Sequence, residues 1–365
     1  MDNQKIHMNG GDGPNSYAKN SQYQKALVGY SKKVIAELIE EQLDMGIISP
    51  HCSSFCIADF GCSTGGNTYL AVQNIIEAVE LKYKSNEEED QQSPQFHVFF
   101  NDLVQNDFNT LFNYIDSNKP NYFTSGVPGS FYGRVLPKAS LHFAHSSMAL
   151  LYLSRIPEEV MDRKSAAWNK GRIHYSCEGA AKEVEAAYSN QFRKDVQAFL
   201  DARAEELVPG GLMVIITLGI DGVLPSESPM GMTFTLVGSC LQDMANMGII
   251  SEEKLDSFNL PFYYTSQMEL ETLIKTHGCF DIARFEKLPT PSRLVITVQT
   301  AVLITRAVTE ALFQQHFGKD ITEELFQRCA EKFHLHPAIH DDKYQTEASY
   351  FVFLKRKVRT SKPGT

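Results

Sequence analysis

Short apolar runs alternate along the chain with longer stretches in which apolar residues recur every three to four positions. The first run, Phe55-Cys56-Ile57-Ala58-Asp59-Phe60, passes directly into Gly61-Cys62-Ser63-Thr64-Gly65-Gly66-Asn67-Thr68. Beyond that turn Tyr69, Val72, Ile76 and Val79 share one face of a helix. Runs at 96–102, 122–127, 141–145, 212–218, 279–285 and 350–355 predict further strands, and helical patterns cover 191–207, 232–249, 251–257 and 295–316. Leu27, Tyr30, Val34, Leu38 and Ile39 mark the buried face of an N-terminal helix. Asn106-Asp107-Phe108-Asn109 supplies capping residues after the second strand, and Pro209-Gly210-Gly211 stops the helix that precedes residue 212.

Strand, loop and helix in repeated alternation mean an α/β fold, a parallel sheet with crossover helices on both faces. Its ligand then lies at the carboxyl ends of the strands, after Phe60, Asn101, Val127 and His145. Helical material around 155–178 and 225–335 exceeds what crossovers need and is assigned to an α-helical cap over that edge. The expected division is a lid segment and helix at 1–50 and a core at 51–154 and 179–224, completed by strands near 279–285 and 349–355. Residues 8–24 read either as a disordered leader or as a segment that closes over the ligand.

A strand, a glycine turn and a helix start form a nucleotide-type crevice, because glycine lets backbone N–H groups come close to a ligand. The spacing Gly61-x-x-x-Gly65-Gly66 carries no phosphate-loop Lys and is not Gly-x-Gly-x-x-Gly. Asp102, closing the second strand, offers a carboxylate to both hydroxyls of a ribose. A ribose acceptor beside a turn without a basic partner suits a phosphate-free nucleoside such as S-adenosylmethionine, while an ordinary α/β turn remains the other reading. A formal charge of −10 and a pI near 5.6 argue against a nucleic-acid partner. The N-terminus lacks the apolar core of a secretory signal, and no run approaches the roughly 20 apolar residues of a membrane span, so a soluble, cytoplasmic protein is expected. Seven cysteines without a Cys-x-x-Cys pair read as reduced core residues.

Six segments together resemble the plant SABATH methyltransferases, the family of salicylic and benzoic acid carboxyl methyltransferases and theobromine synthase. They are 8–13 with 16–21, 58–63, 100–103 with 106–109, 126–134, 202–211 and 256–261, in the family's order and across nearly the whole chain. The resemblance implies a Rossmann-like class I methyltransferase sheet and S-adenosylmethionine as methyl donor. Tyr17, Ser21, Gly61, Cys62 and Asn67 would surround its methionine portion, Asp102 its ribose, and Leu103, Ser130 and Phe131 its adenine; Asp59 lies on the same edge. Gly66 departs from the family's usual Pro, which should loosen the turn without removing a contact.

Carboxyl-methylating members hold their acid through a Gln and a Trp. Gln24 matches the first, and Tyr152 stands at the second. Leu151, Phe234, Phe262 and Tyr263 are candidates for the dry wall of the acceptor pocket, and Asn9 stands where some members have Lys. A carboxylic acid is already ionised at neutral pH, so Gln24 and Tyr152 need only orient it, with no general base. His142, His145 and His174 therefore read as core or rim residues. The family also suggests a magnesium position at Asn169, Asp256, Asn259 and the backbone of Phe258, although 256–259 equally forms a helix-end turn and a structural role is favoured. The expected function is carboxyl O-methylation of a small-molecule acid by a homodimer. The alternatives are N-methylation of a purine alkaloid, disfavoured by Leu151 where purine methylators often place His, and a non-catalytic binding protein.

Overall fold

The computed structural model describes residues 7–47, 54–85, 94–289, 298–335 and 347–358. A short helix α1 (Tyr17–Asn20) breaks at Ser21 and resumes as α2 (Gln22–Gln42). Then follow β1 (Ser54–Phe60), α3 (Gly66–Ser85), β2 (Gln95–Asp102), α4 (Phe108–Ser117), β3 (Phe123–Pro128) and β4 (Leu141–Ser147). The second half holds α5 (Lys182–Glu206), β5 (Leu207–Ile220), α6 (Pro229–Asn246), α7 (Glu252–Asp256), α8 (Gln267–His277) and β6 (Phe280–Leu288). It ends with α9 (Val298–Phe317), α10 (Lys319–Leu335) and β7 (Glu347–Arg356).

The strands form one sheet in the order β3-β2-β1-β4-β5-β7-β6. Pairings from β3 through β5 are parallel, whereas β7 runs antiparallel to both β5 and β6. The parallel pairing expected from the alternating first strands holds from β3 through β5; β7 runs the other way, and its unbroken apolar run has the same appearance in either direction. Alternate strand residues supply the two cores. Phe55, Ile57, Val98, Phe100, Val214 and Phe353 pack with α2, α3 and α4, while Ala58, Phe60, Ala144, Met213, Ile215 and Val352 pack with α5, α8 and the cap helices.

Several local expectations shift. The buried stripe of α2 is Leu27, Val28, Ser31, Ile35, Leu38 and Ile39, and Tyr30 is 39% exposed, because the helix face is rotated from the one expected. Helix α5 starts nine residues before Gln191, at Lys182. Pro209-Gly210-Gly211 does not separate it from β5 but forms that strand's irregular first part, with Gly210 at φ +80° and a register shift opposite Leu141/Phe143. Asp107 caps α4, its side chain accepting from Thr110 N at 3.0 Å, as the capping residues foretold. Six cysteines are free thiols; Cys52 and residues 295–297 of the expected helix lie outside the described residues.

Candidate active site

At the carboxyl ends of β1, β2 and β4 opens a cavity of about 330 Å³, with an inner hollow of about 30 Å³ behind it. One end of the cavity is the glycine corner. Gly61 sits at φ +81°, and a Cβ there would fall 2.2 Å from the Ala149 Cβ, so no other residue fits without displacement. The N–H groups of Gly61 and Cys62 donate to Asn101 O at 2.9 and 3.0 Å, tying β1's exit to β2. Asn101 Nδ2 donates to Val127 O at 2.7 Å and to Gly129 O at 3.0 Å, which carries the same tie on to the 129–131 loop.

Asp102 lies between these segments. Its Oδ2 accepts from Ser63 N and its Oδ1 from Leu103 N, both at 2.7 Å. Burial pushes its carboxyl up to about 6, although both N–H donors favour the charged form. Gly61, Leu103, Ser130, Phe131 and Tyr17 line the same end of the cavity. The hollow is lined by Asp59, Cys62 and Asn67 together with Tyr17 and Gln24. Asn67 Nδ2 donates to Ser21 Oγ at 2.9 Å, so Ser21 joins the hollow through Asn67. Asp59 is held by the Thr68 hydroxyl and by His145 Nδ1 at 2.7 Å. Burial, with Asp102 and Asp59 adding to it, raises the Cys62 thiol and the Tyr17 phenol, so both stay protonated. Gly66 is not merely a loosened turn: a Cβ there would meet the Tyr114 hydroxyl at 2.5 Å, so glycine and that tyrosine occupy complementary space.

The segment before α2 crosses the cavity. Asn9 N donates to Ala307 O at 3.1 Å and Asn9 Nδ2 to Glu310 Oε2 at 2.5 Å, both on α9; Gly11 N donates at 3.0 Å to Oδ2 of Asp107, the cap of α4. Residues 8–24 therefore belong to the site rather than to a disordered leader, and Met8 and Tyr23 join its lining.

The other end of the cavity is lined by Gln24, Leu151, Tyr152 and Phe262, four of the residues read from the sequence. Buried Gln24 Oε1 has no hydrogen-bond partner. The Tyr152 hydroxyl donates to Met8 Sδ at 3.7 Å, and its ring meets Phe262 edge-on with centroids 4.8 Å apart. Phe234 does not line the cavity: it is stacked behind Phe262 at 5.7 Å and 13°. Nor does Tyr263, whose hydroxyl donates to Glu269 Oε2 at 3.0 Å on the far side. Residues 262–264 are extended, so Phe262 and Tyr264 face the cavity and the residue between them faces away. The sequence reading missed Met148, Met230 and Thr233, and also the wall that α9 contributes through Ala301, Ile304, Thr305 and Val308. The i, i+3, i+4, i+7 spacing of that last set was its available signal.

His142 and His174 are occupied structurally, whereas His145, bonded to Asp59 through Nδ1, lines the inner hollow with its Nε2 buried and without a partner among the described residues. His174 Nδ1 accepts from Ser176 N at 3.2 Å while Nε2 donates to Phe262 O at 2.8 Å, and burial holds the ring near 3. His142 Nδ1 accepts from Cys56 N at 3.0 Å, and burial lowers it to about 4. At the magnesium position, Asn169 Nδ2 donates to Asn259 Oδ1 at 2.7 Å and Asp256 Oδ1 accepts from Gly171 N at 2.9 Å. The Phe258 ring packs on Phe313 and Phe317 at 4.9 and 5.1 Å. Among the described residues no group of three or more His, Cys, Asp and Glu is placed to hold a metal.

A sheet of this order, with a glycine corner after its first strand and an acid ending its second, defines a Rossmann-like class I methyltransferase that takes S-adenosylmethionine. The family model described as SAM dependent carboxyl methyltransferase matches residues 3–357. Loganic acid O-methyltransferase of Catharanthus roseus is 47% identical over 360 residues, 96% of this chain and 94% of that protein. Farnesoic acid carboxyl-O-methyltransferase of Arabidopsis thaliana is 48% identical over 282 residues, 77% of this chain and 78% of its own length. The solved structure titled loganic acid methyltransferase with SAH superposes with a TM-score of 0.91 at 46% identity, covering 96% of this chain and 99% of that one. The chain belongs to the plant SABATH family of S-adenosylmethionine-dependent carboxyl methyltransferases.

Proposed function

We propose that the protein methylates the carboxylate of a small acid with an apolar body, with Asp102, the glycine corner and the 129–131 loop holding the donor and Gln24 and Tyr152 orienting the acid. One observation carries this reading: apart from Asp102 and His7, whose charge acts on the Asp102 carboxyl, the described residues lining the cavity include no Asp, Glu, His, Lys or Arg, and the acceptor end offers an amide and a phenol. A carboxylate needs orientation and no base, whereas a ring N–H acceptor must lose a proton. When bound, the donor supplies an electrophilic methyl carbon, and its sulfur keeps the S–C electron pair as a carboxylate oxygen forms the new bond. Gln24 and the Tyr152 phenol, which burial keeps protonated, hold the nucleophile in line. Leu151, Phe262 and α9 exclude water from opposite charges that cancel as the reaction proceeds.

The apolar body follows from the hydroxyls of the same wall. Thr233 Oγ1 donates to Pro229 O and Thr305 Oγ1 to Ala301 O, each at 2.8 Å within its own helix, and Ser154 Oγ donates to Asp195 Oδ1 at 2.6 Å. Their protons are committed, so toward a sugar or polyol these hydroxyls can accept but not donate. Incubation with methyl-labelled S-adenosylmethionine and a panel of apolar acids, glycosylated acids and xanthines tests the proposal. Label that alkali releases as methanol, highest with apolar acids, is expected; an alkali-stable N-methyl product, or donor binding without transfer, overturns it.

The domain division is proposed on the same grounds: 51–154 and 179–224 build the donor end, and the cap helices roof the acceptor end. A divalent cation near Asn169, Asp256 and Asn259 is a separate proposal, supported by Asn169 Oδ1, which is buried without a partner. Its role is structural, since Asn169, Asp256 and Asn259 do not line the cavity. Chelation should then lower Tm and leave the affinity for S-adenosylhomocysteine unchanged; an unchanged Tm removes the ion.

A further inference from the structure

Arg203 and Glu206, one turn apart on α5, form an ion pair with neither side chain exposed to solvent, Arg203 Nε donating to Glu206 Oε2 at 2.8 Å. Arg203 Nη1 donates to Phe131 O at 2.9 Å and Nη2 to Gly133 O at 3.0 Å. Glu206 Oε1 accepts from Val135 N at 2.6 Å and Leu136 N at 2.9 Å. The guanidinium lies 3.9 Å above the ring of Phe60, the residue immediately before Gly61. The pair thus makes four hydrogen bonds to the main chain at 131–136 of a loop, 129–140, that forms no strand or helix and is otherwise tied by its backbone at its two ends, Gly129 N to Asp102 O at 2.8 Å and Ala139 N and Ser140 N to Glu205 O and Glu206 O at 2.8 and 2.9 Å.

Stability alone does not explain such a pair. Taking two charges out of water offsets most of their attraction, and apolar residues of similar volume often serve as well. The Arg203 side chain has no solvent exposure, and that burial draws its guanidinium down to about 10. Apolar residues could not, however, donate to two carbonyls and accept from two N–H groups at once. The forked guanidinium spans Phe131 and Gly133 in one plane, and the carboxylate gathers Val135 and Leu136. This loop carries Ser130 and Phe131 into the cavity, and the Phe131 Cε1 lies 3.6 Å from where a Gly61 Cβ would stand.

We infer that Arg203 and Glu206 are a positioning pair that presets the 129–136 loop for the adenosyl half of the methyl donor. This rests on the donor end lying at Asp102 and the glycine corner, as proposed above. The pair touches no ligand itself; it acts through Ser130 and Phe131.

Calorimetric titration with S-adenosylhomocysteine of the wild type, Asp102→Ala, Arg203→Lys and the double variant Arg203→Met with Glu206→Leu tests it. Lysine keeps the charge opposite Glu206 but cannot span both carbonyls, and the double variant removes both charges together so that neither is left buried alone. Either replacement should raise Kd about tenfold, the scale of losing one charge-assisted hydrogen bond. The donor KM should rise with it while kcat, measured with an acid the panel shows to be turned over, stays within about twofold. Unchanged Kd and donor KM with a lowered Tm would make the pair purely structural and overturn the inference. Weaker binding in Asp102→Ala but not in the Arg203 variants overturns it while the donor site stands; unaltered binding in Asp102→Ala overturns the donor site itself. If no Arg203 variant folds, amide exchange on the unaltered protein decides. Val135 and Leu136 N–H should be protected before ligand is added, and fast exchange that slows only with S-adenosylhomocysteine contradicts a preset loop.

Discussion

Burial pushes the Asp102 carboxyl up to about 6, against an unfolded value near 3.9, and both of its oxygens already accept a backbone N–H. The raised value fixes the sign of two pH effects. The ionised carboxylate opposes folding at neutral pH, and this opposition is relieved as pH falls from about 7 toward 4. Donor binding runs the other way, because ribose hydroxyls need the charged acceptor. The Kd for S-adenosylhomocysteine should be flat above about pH 7 and weaken toward tenfold per unit below about pH 6. Asp102→Asn should flatten that profile; a wild-type Kd constant to pH 5 contradicts it. Gly61→Ala places a Cβ 2.2 Å from that of Ala149 at a positive φ, and should cost roughly 2–5 kcal/mol in denaturant unfolding together with donor binding. A stable variant that binds normally would show the corner to be adaptable. The placement of Gly61 and Asp102 was legible in the sequence because a positive-φ turn and a strand-end acid restrict residue type. Phe234 and Tyr263 were misplaced for the opposite reason: an aromatic ring behind a wall and one in it are the same letter.

At the scale of elements, the segment before α2 is held at both ends by bonds that span the chain. Asp107 caps α4 and also receives Gly11 N, so Asp107→Ala should lose about 1–2 kcal/mol of stability and raise the donor KM several-fold as the segment loosens. Thermal unfolding and initial-rate kinetics check this, and a lowered Tm with an unchanged donor KM would confine Asp107 to capping. The cap was readable from 106–109 because capping is local. The partnership of Asn9 with Ala307 and Glu310 was not, since Glu310 lies 301 residues further along the chain. The reversal of β7 was invisible for a related reason, as side-chain pattern encodes burial and not direction. Tyr152→Phe tests the acceptor end: loss of the one hydroxyl that reaches Met8 should lower kcat/KM for the acid about tenfold without altering donor affinity, and unchanged kinetics would release Tyr152 from orienting the acid.

For the whole molecule, the sheet order brings the ends of β1, β2 and β4 to one edge, and α6 and α9 roof it, so a nucleoside and an acid can meet in one cavity of about 330 Å³. No helix among the described residues is long and apolar enough to cross a membrane. Alternating strands and helices made the core legible from the sequence. The roof was legible only as surplus helix, because which face of α9 turns inward depends on contacts with residues far along the chain. Everything proposed for the acceptor depends on the donor lying against the glycine corner and Asp102. Calorimetry of S-adenosylhomocysteine binding at pH 7.5 in the wild type and in Asp102→Ala tests that most directly. The structure predicts a Kd weakened about 100-fold or more in the variant, the scale of two lost charge-assisted hydrogen bonds, with Tm nearly unchanged. An equal Kd in the two proteins would contradict it.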